Sequence, residues 1–171
     1  MSRKSLVAGN WKMHGSKDFV AALSSELLQA TPAAEVAVFA PFVFIPQLSQ
    51  VLAASQIQFG AQNVSQYDSG AYTGEISVAM LKELACQFVL VGHSERRSLF
   101  GETNAVVAEK FAAAVAGSLA PMLCIGETQA QYEKGLWHLN RALPIAGTRM
   151  WEEESQPSRW ISAKAMYVLR A

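Results

Sequence analysis

The sequence predicts an α/β protein built on a parallel sheet. Five short runs of apolar and β-branched residues alternate with segments of helical periodicity. The runs begin at Leu6, Val36, Ile57, Phe88 and Met122, 21 to 34 residues apart, a spacing that suits crossover helices better than hairpins. Apolar character on both faces of these runs is typical of buried parallel strands. Periodicity alone leaves open whether the sheet is doubly wound or curled into a barrel.

Helical spacing fills the intervals between these runs. Apolar residues recur every three or four positions, which is the pattern of an amphipathic helix. They are Phe19, Leu23 and Leu27, then Ile45, Leu48 and Leu52, and finally Val107, Phe111 and Val115. Ser77 is placed to cap a helix that carries Val78, Leu81 and Leu84, and Gly117 is placed to end the last helix.

Composition and charge describe a globular chain with one core. Of the 171 residues, 51% are hydrophobic and 16% are charged, which excludes intrinsic disorder. Fourteen basic residues balance fourteen acidic ones, and no basic run extends beyond Arg96-Arg97. We therefore expect no nucleic-acid or membrane-surface partner. No apolar stretch reaches the roughly 18 residues that a membrane-spanning helix needs.

The two cysteines indicate a reducing compartment. Cys86 and Cys124 form neither a C-x-x-C motif nor a metal-ligand spacing, so a disulfide scaffold and a zinc site both lack support. Near the N-terminus only the short run from Leu6 to Gly9 is apolar, which is too short for a secretory signal. The expected location is the cytoplasm.

Polar side chains follow four of the five predicted strands. In parallel α/β folds functional groups lie where strands end, so we expect these segments to open onto one end of the sheet. The segments are Gly9-Asn10-Trp11-Lys12, Gln62-Asn63, Gly92-His93-Ser94-Glu95-Arg96-Arg97 and Gly126-Glu127-Thr128. His93 follows a fully apolar strand and precedes a charged run, which indicates the polar mouth of a pocket.

Each candidate also has a purely structural interpretation. A lysine in the position of Lys12 is most often a solvated loop residue. Glu95 has the chemistry of a general acid or base, but an ion pair with Lys12 or a neighbouring arginine is the simpler interpretation. Ser94 directly follows His93 and no G-x-S-x-G motif occurs, so a serine hydrolase is not expected. The absence of Walker and G-x-G-x-x-G motifs argues against nucleotide binding.

Five motifs, taken together, carry a family resemblance. They are Ala8-Gly9-Asn10-Trp11-Lys12-Met13, Ala61-Gln62-Asn63-Val64, Gly70-Ala71-Tyr72-Thr73-Gly74-Glu75-Ile76-Ser77, Val91-Gly92-His93-Ser94-Glu95-Arg96-Arg97 and Cys124-Ile125-Gly126-Glu127. In order and spacing they resemble the triosephosphate isomerase family. The resemblance covers about residues 5–136 and implies a partial TIM (β/α)₈ barrel of about five βα units, with residues 1–136 as its N-terminal part.

The resemblance implies an isomerase that interconverts dihydroxyacetone phosphate and glyceraldehyde 3-phosphate through an enediol, without metal or organic cofactor. Asn10 and Lys12 match substrate-binding positions, where the lysine ammonium neutralises phosphate and enediolate charge. His93 matches the neutral histidine that polarises the substrate carbonyl, a use of histidine for which this family is a standard example. Glu95 matches the carboxylate that positions the lysine.

The resemblance also implies a homodimer. Tyr72 and Thr73 match a loop that enters the neighbouring subunit and supports Lys12 and His93 there. The expected small-molecule partner is a triose phosphate, and the expected pathways are glycolysis and gluconeogenesis.

The family pattern stops near Trp137. The family's proton-abstracting glutamate lies after the sixth strand in a segment reading Ala-Tyr-Glu-Pro-Val-Trp, which this sequence lacks, as it lacks the later glycine-rich phosphate loops. The run Glu152-Glu153-Glu154 follows no predicted strand. Because abstraction of a proton from carbon needs a positioned base, we expect a severely impaired or inactive chain. The abrupt change suggests that residues 137–171 form an irregular, frame-shifted tail.

Two other interpretations remain open at this point. One is a truncated, non-catalytic half-barrel that pairs with a partner fragment or a second copy through exposed sheet edges. The other is a sugar-phosphate-binding domain that retains Asn10, Lys12 and His93.

Overall fold

A computed structural model describes residues 6–30 and 34–126 of the chain, which form five strands and five α-helices. The strands are β1 (Leu6–Asn10), β2 (Glu35–Ala40), β3 (Gln58–Ala61), β4 (Phe88–Val91) and β5 (Ala120–Leu123). The helices are α1 (Lys17–Gln29), α2 (Ile45–Val51), α3 (Val78–Glu83), α4 (Ser94–Leu99) and α5 (Asn104–Ala116). A short 3₁₀ turn, Phe42–Phe44, precedes α2.

The five strands pair in the order in which they occur along the chain. Each strand is parallel to the next, with Val7 opposite Val36 at the β1–β2 pairing and Leu90 opposite Met122 at the β4–β5 pairing. A doubly wound sheet reverses its strand order at a switch point, whereas a barrel wall keeps the chain order. The prediction of a parallel α/β fold is confirmed, and the described residues form a curled half-barrel.

Alternate strand residues bury on opposite faces of this sheet. On the outer face Val38, Val89 and Val91 pack with helix residues such as Leu48 and Leu81. On the concave face a second cluster contains no residue of the described helices. It comprises Ala37, Phe39, Phe88, Leu90 and Met122, together with Cys124 just beyond β5. Burial on both faces explains why the sequences of β2, from Val36 onward, and β4 are continuously apolar.

The first strand departs from this two-sided burial. Val7 is 60% exposed, and exposure alternates along β1. The expectation that every strand is buried on both faces is therefore wrong for β1. The reason is that β1 lies at the edge of the sheet and contacts mainly β2 within the described residues, whereas α5 packs on β5 at the other edge.

Serine or threonine side chains cap the starts of three helices. Ser16 Oγ accepts a hydrogen bond from Phe19 N (3.0 Å) at α1, and Thr103 Oγ1 accepts one from Val106 N (3.3 Å) at α5. Ser77 Oγ accepts from Met80 N (3.4 Å), which confirms the predicted cap of α3. Each cap satisfies a donor that the first helical turn leaves without a partner.

Two elements differ from the sequence prediction. The helix α4 was not predicted, because its sequence, Ser-Glu-Arg-Arg-Ser-Leu, carries no apolar stripe. The strand β5 begins at Ala120 and not at Met122, despite Pro121. The Ala120 amide donates to Gln87 O, just before β4, and the Cys124 amide donates to Val91 O at its end, so the intervening proline nitrogen falls at a position that faces away from β4.

The predicted stripe of α1 is also displaced around the helix. Val20 and Ser24 are its buried residues, whereas Phe19 remains 43% exposed. Phe19 instead meets Trp11 edge to face, with the ring centroids 5.1 Å apart. The aromatic ring therefore covers the loop that follows β1 and does not enter the main core.

Several sequence-based expectations lie outside the described residues. They concern Glu127 in the last motif, the boundary at residue 136, the acidic run Glu152–Glu154, and the irregular or frame-shifted character of residues 137–171. Among the helices of the described residues, none has the length and apolar character needed to cross a membrane.

Gly60 in β3 is required for close packing against β4. A Cβ at this position would overlap the carbonyl oxygen of Phe88 and would lie 2.7 Å from its carbonyl carbon. We expect Gly60→Ala to lower the free energy of unfolding by about 1–3 kcal/mol, because neither backbone can yield without breaking the sheet. Urea unfolding monitored by circular dichroism measures this change.

Gly9→Ala provides the matched control. Gly9 also lies in a strand, but a Cβ there would meet no atom within 4 Å. Its free energy of unfolding should stay within about 0.5 kcal/mol of the unmodified chain. Equal effects of the two substitutions would contradict the packing argument.

Candidate active site at the carboxyl ends of the strands

Lys12 follows β1 in a strained backbone conformation. Its φ of 52° lies in the left-handed region, which residues other than glycine seldom adopt. Two side chains hold this conformation. The Lys12 amide donates to Asn10 Oδ1 (2.9 Å), and Gln62 Nε2 donates to the Lys12 carbonyl oxygen (2.8 Å). Gln62 also donates to the carbonyl oxygen of Phe39 (3.0 Å), so the ends of β1, β2 and β3 are tied together.

The Lys12 side chain pairs with Glu95 across the end of the sheet. Lys12 Nζ lies 2.7 Å from Glu95 Oε1, although 83 positions separate the two residues in sequence. Glu95 occupies the first turn of α4, where a carboxylate also interacts favourably with the helix dipole. The pair therefore places the lysine ammonium beside the residues that follow β4.

His93 lies at the junction of β4 and α4 and is only 6% exposed. Its Nδ1 accepts a hydrogen bond from the Glu95 amide (3.3 Å) and so caps α4. Glu95 Oε2 also lies 3.6 Å from Nδ1, but that distance is too long for a hydrogen bond. The amide is therefore the partner of Nδ1, and a neutral His93 carries its proton on Nε2.

The surroundings favour the neutral form of His93. Burial lowers the pKa of this imidazole below its ordinary value of 6.5. The Glu95 carboxylate raises the pKa, the Lys12 ammonium lowers it, and the net shift is downward. A cation and an uncharged imidazole are thus both held by Glu95, the first through its carboxylate and the second through its amide, at the carboxyl end of the sheet.

A buried ionic cluster supports α4 from the side of α5. Glu102 Oε1 lies 2.5 Å from Lys110 Nζ and 2.6 Å from Arg96 Nε. Lys110 Nζ also donates to Asn63 Oδ1 (2.9 Å), in the loop after β3. Burial alone would raise the pKa of Glu102. The hydrogen bonds and positive charges of Lys110 and Arg96 outweigh burial, so the pKa is lowered overall.

Sequence reasoning missed this cluster. Lys110 occurs inside an apolar helix and Glu102 in a short loop, and neither position follows a strand. The signal available in the sequence was Lys110, a charged residue on the same face of α5 as the apolar Val107 and Ala114. All three of these residues are buried.

The loop between β3 and α3 holds Tyr72 and Thr73 at the surface. A hydrogen bond from Ser65 N to Ile76 O (2.8 Å) closes the base of this loop. The Tyr67 and Tyr72 rings stack with centroids 3.9 Å apart and planes 3° from parallel. The loop thus presents an exposed face of two stacked aromatic rings.

The geometry brings Asn10, Lys12, His93 and Glu95 into one connected site, while Tyr72 and Thr73 lie on the exposed loop. The site offers a fixed cation and a hydrogen-bond donor on a neutral ring, which together suit an oxygen that becomes negative. Within residues 6–30 and 34–126 no group of three potential metal ligands occurs.

Comparison with known proteins agrees with this geometry. A family model described as triosephosphate isomerase matches residues 5–147. The chain belongs to the triosephosphate isomerase family. The triosephosphate isomerase of Thiobacillus denitrificans is 52% identical over 134 residues, covering 78% of this chain and 54% of that protein. That of Methylococcus capsulatus is 47% identical over 150 residues, covering 86% of this chain and 58% of that protein.

The chain therefore spans about half the length of these curated triosephosphate isomerase relatives. Family membership identifies the half-barrel as the wall of a TIM barrel. Within the described residues, β1 and β5 each pair with one neighbouring strand only.

The pKa of His93 predicts how stability depends on pH. The folded state binds a proton at His93 less readily than the unfolded state, so the free energy of unfolding should fall as pH decreases below 6.5. The loss should level off once pH is below the folded-state pKa. Urea unfolding at pH values between about 5 and 7 measures this slope.

Two variants test whether His93 causes this pH dependence of the free energy of unfolding. His93→Gln has no titrating group, and we expect the slope to be smaller in this variant. His14→Gln removes an exposed histidine from the loop after β1 and should keep the slope of the unmodified chain. An identical slope in the unmodified chain and in His93→Gln would show that another group is responsible.

Proposed function

We propose that Lys12 and His93 form the charge-stabilising half of a triosephosphate isomerase site, acting on dihydroxyacetone phosphate and glyceraldehyde 3-phosphate. The observation that carries this proposal is their connection through Glu95, which pairs with Lys12 Nζ and donates its amide to His93 Nδ1. Two groups from distant parts of the chain are thereby held at one end of the barrel wall. The family relationship supports a triose phosphate as the substrate.

The chemistry assigned to each residue follows from its protonation. Isomerisation requires removal of a proton from the carbon next to the carbonyl, which leaves negative charge on the carbonyl oxygen. With Nδ1 occupied by the Glu95 amide, His93 has its Nε2–H available to hydrogen bond to that oxygen. Lys12 supplies the positive charge that stabilises the enediolate and the phosphate. Asn10 maintains the strained backbone of Lys12 and completes the substrate-binding set.

The proposal also includes a functional deficit of the 171-residue chain. Neither Lys12 nor His93 is suited to remove the carbon-bound proton, because one is a cation and the other is held neutral as a donor. The glutamate-containing segment expected after a sixth strand does not occur in the sequence. The chain therefore stabilises charge but lacks the base that generates it.

An isomerase assay tests this deficit directly. The purified chain should convert glyceraldehyde 3-phosphate at least about 10²- to 10⁴-fold more slowly than an intact family member, which is the range that a general base contributes. The triosephosphate isomerase of Thiobacillus denitrificans provides the positive control. Turnover approaching that of the control would refute the proposed deficit.

Binding of dihydroxyacetone phosphate tests the site itself. Titration followed by NMR should show ligand-dependent shifts of the His93 and Lys12 resonances. Lys12→Met should weaken binding by about 10- to 100-fold, because a charge-assisted hydrogen bond to the ligand is lost. Lys17→Met is the matched control, since Lys17 is exposed at the start of α1, and its affinity should be unchanged. Equal affinities of the two variants would remove Lys12 from the site.

We propose a homodimer in which the Tyr72–Thr73 loop contacts a second subunit. The stacked Tyr67 and Tyr72 rings support this proposal, because an exposed aromatic surface is typical of an interface. An alternative pairing through the strand edges is supported by β1 and β5, each of which has one strand neighbour in the described region. In that alternative the half-barrel is non-catalytic and binds a partner fragment or a second copy through these edges.

A glycolytic and gluconeogenic role in the cytoplasm completes the proposal. Cys86 and Cys124 are both buried thiols, and burial raises their pKa to about 12 and about 11. Such thiols remain protonated and unreactive, which is consistent with a reducing compartment.

A further inference from the structure

Arg97 reaches back from α4 to the turn that precedes His93. Its Nε donates to the carbonyl oxygen of Gly92 at 2.7 Å. Its Nη1 donates to Asn104 Oδ1, also at 2.7 Å, at the first residue of α5. One guanidinium group therefore connects the β4–α4 turn to the start of the next helix.

The direction of the Gly92 carbonyl determines how the backbone enters His93. Gly92 has a φ of 73°, which places the turn in the left-handed region that glycine tolerates. Its carbonyl belongs to the peptide group that carries the His93 nitrogen, and a peptide group is planar. Fixing this oxygen therefore fixes the direction in which the backbone enters His93.

The packing around Gly92 leaves this turn little freedom. A Cβ at Gly92 would lie 2.7 Å from Arg97 Nη2 and 2.8 Å from Val107 Cγ1. The preceding residue is also held, because Val91 O accepts from Cys124 N (2.8 Å). Backbone just beyond β5 thus holds the Val91 carbonyl at the end of β4, and the Arg97 side chain holds the Gly92 carbonyl that follows it.

The neighbouring arginine has a different task. Arg96 Nε pairs with Glu102, and its guanidinium lies 5.2 Å from the centroid of the Phe100 ring. The side-chain hydrogen bonds of Arg96 and Arg97 therefore lead to different partners. Substitution of Arg96 therefore reports the general effect of changing a positively charged side chain on α4, whereas substitution of Arg97 also removes the contact with the Gly92–His93 peptide.

We propose that Arg97 is a positioning residue for His93, which fixes the Gly92 carbonyl and thereby holds Nδ1 of the imidazole beneath the Glu95 amide. This inference rests on the proposed function in assigning His93 its role as a hydrogen-bond donor through Nε2. Arg97 touches neither the imidazole nor the substrate in this account. It acts through the backbone of the turn.

The arrangement requires arginine and not merely a positive charge. The planar guanidinium presents several N–H groups in a fixed fork, so one side chain spans Gly92 and Asn104 with defined geometry. A lysine ammonium at the same position would retain the charge but would not reproduce both bonds. Arg97→Lys therefore isolates geometry from charge.

The experiment follows the His93 imidazole by NMR in the full 171-residue chain. Long-range ¹H–¹⁵N spectra report which ring nitrogen carries the proton, and amide hydrogen exchange reports the bond from Glu95 N to Nδ1. In Arg97→Lys we expect mixed tautomers at His93 and exchange of the Glu95 amide faster by about three- to tenfold, as for the loss of one hydrogen bond. The pKa of His93 should move towards its ordinary value.

Two further variants make the result specific. Arg96→Lys is the matched control, with the same substitution one residue away, and it should leave the His93 tautomer and the Glu95 amide unchanged. Asn104→Ala removes only the second anchor of the guanidinium, and it should give a smaller change in the same direction as Arg97→Lys. Asn104→Ala thus tests the proposal even if Arg97→Lys unfolds.

The possible outcomes separate this inference from the proposed function. A single Nε2–H tautomer and unchanged Glu95 exchange in folded Arg97→Lys, or in Asn104→Ala, would overturn the positioning role. Equal changes in Arg96→Lys and Arg97→Lys would overturn it as well, because a general effect of α4 would then suffice. Failure of the unmodified chain to bind dihydroxyacetone phosphate would instead contradict the proposed function and leave the His93 readout intact.

Discussion

The contact between Glu95 and two other residues organises this end of the half-barrel. Its carboxylate pairs with Lys12 after β1, while its amide donates to His93 at the end of β4. The ion pair is partly exposed to solvent, and such pairs contribute little to stability. Its importance is therefore geometric, because it holds an ammonium group next to an imidazole that burial keeps uncharged.

The backbone at this site enters the left-handed region at Lys12 and at the residue before His93. Lys12 and Gly92 both have positive φ, and each is held by a side chain from another segment. Gln62 holds the carbonyl of Lys12, and Arg97 holds the carbonyl of Gly92. Gln62 and Arg97 act in the same way, because each uses a side-chain N–H donor to fix a peptide group that would otherwise be free to rotate. Both loops are thereby tied to neighbouring segments without being part of the regular sheet.

Much of the fold was predictable because it depends on local pattern. Runs such as Phe88–Val91 are apolar on both faces, and Ser77 is a local cap, so both were visible in sequence. The exposure of Val7 was not, because it depends on where β1 lies in the sheet. Helix α4 was also missed, since its charged residues point to partners such as Glu102 rather than to an apolar core. The pairing of Lys12 with Glu95 was foreseen as one option among several.

The sequence by itself determined the strands, their parallel crossover spacing, and the polar residues that follow four of the five strands. These are properties of periodicity and of the chain's own order. Only the tertiary structure decided that the strands pair consecutively, that Glu95 joins Lys12 to His93, and that Arg97 and not Arg96 holds the turn before His93. Hydrogen bonds between distant residues depend on distances and directions that no spacing along the chain encodes, because packing alone brings those atoms within reach.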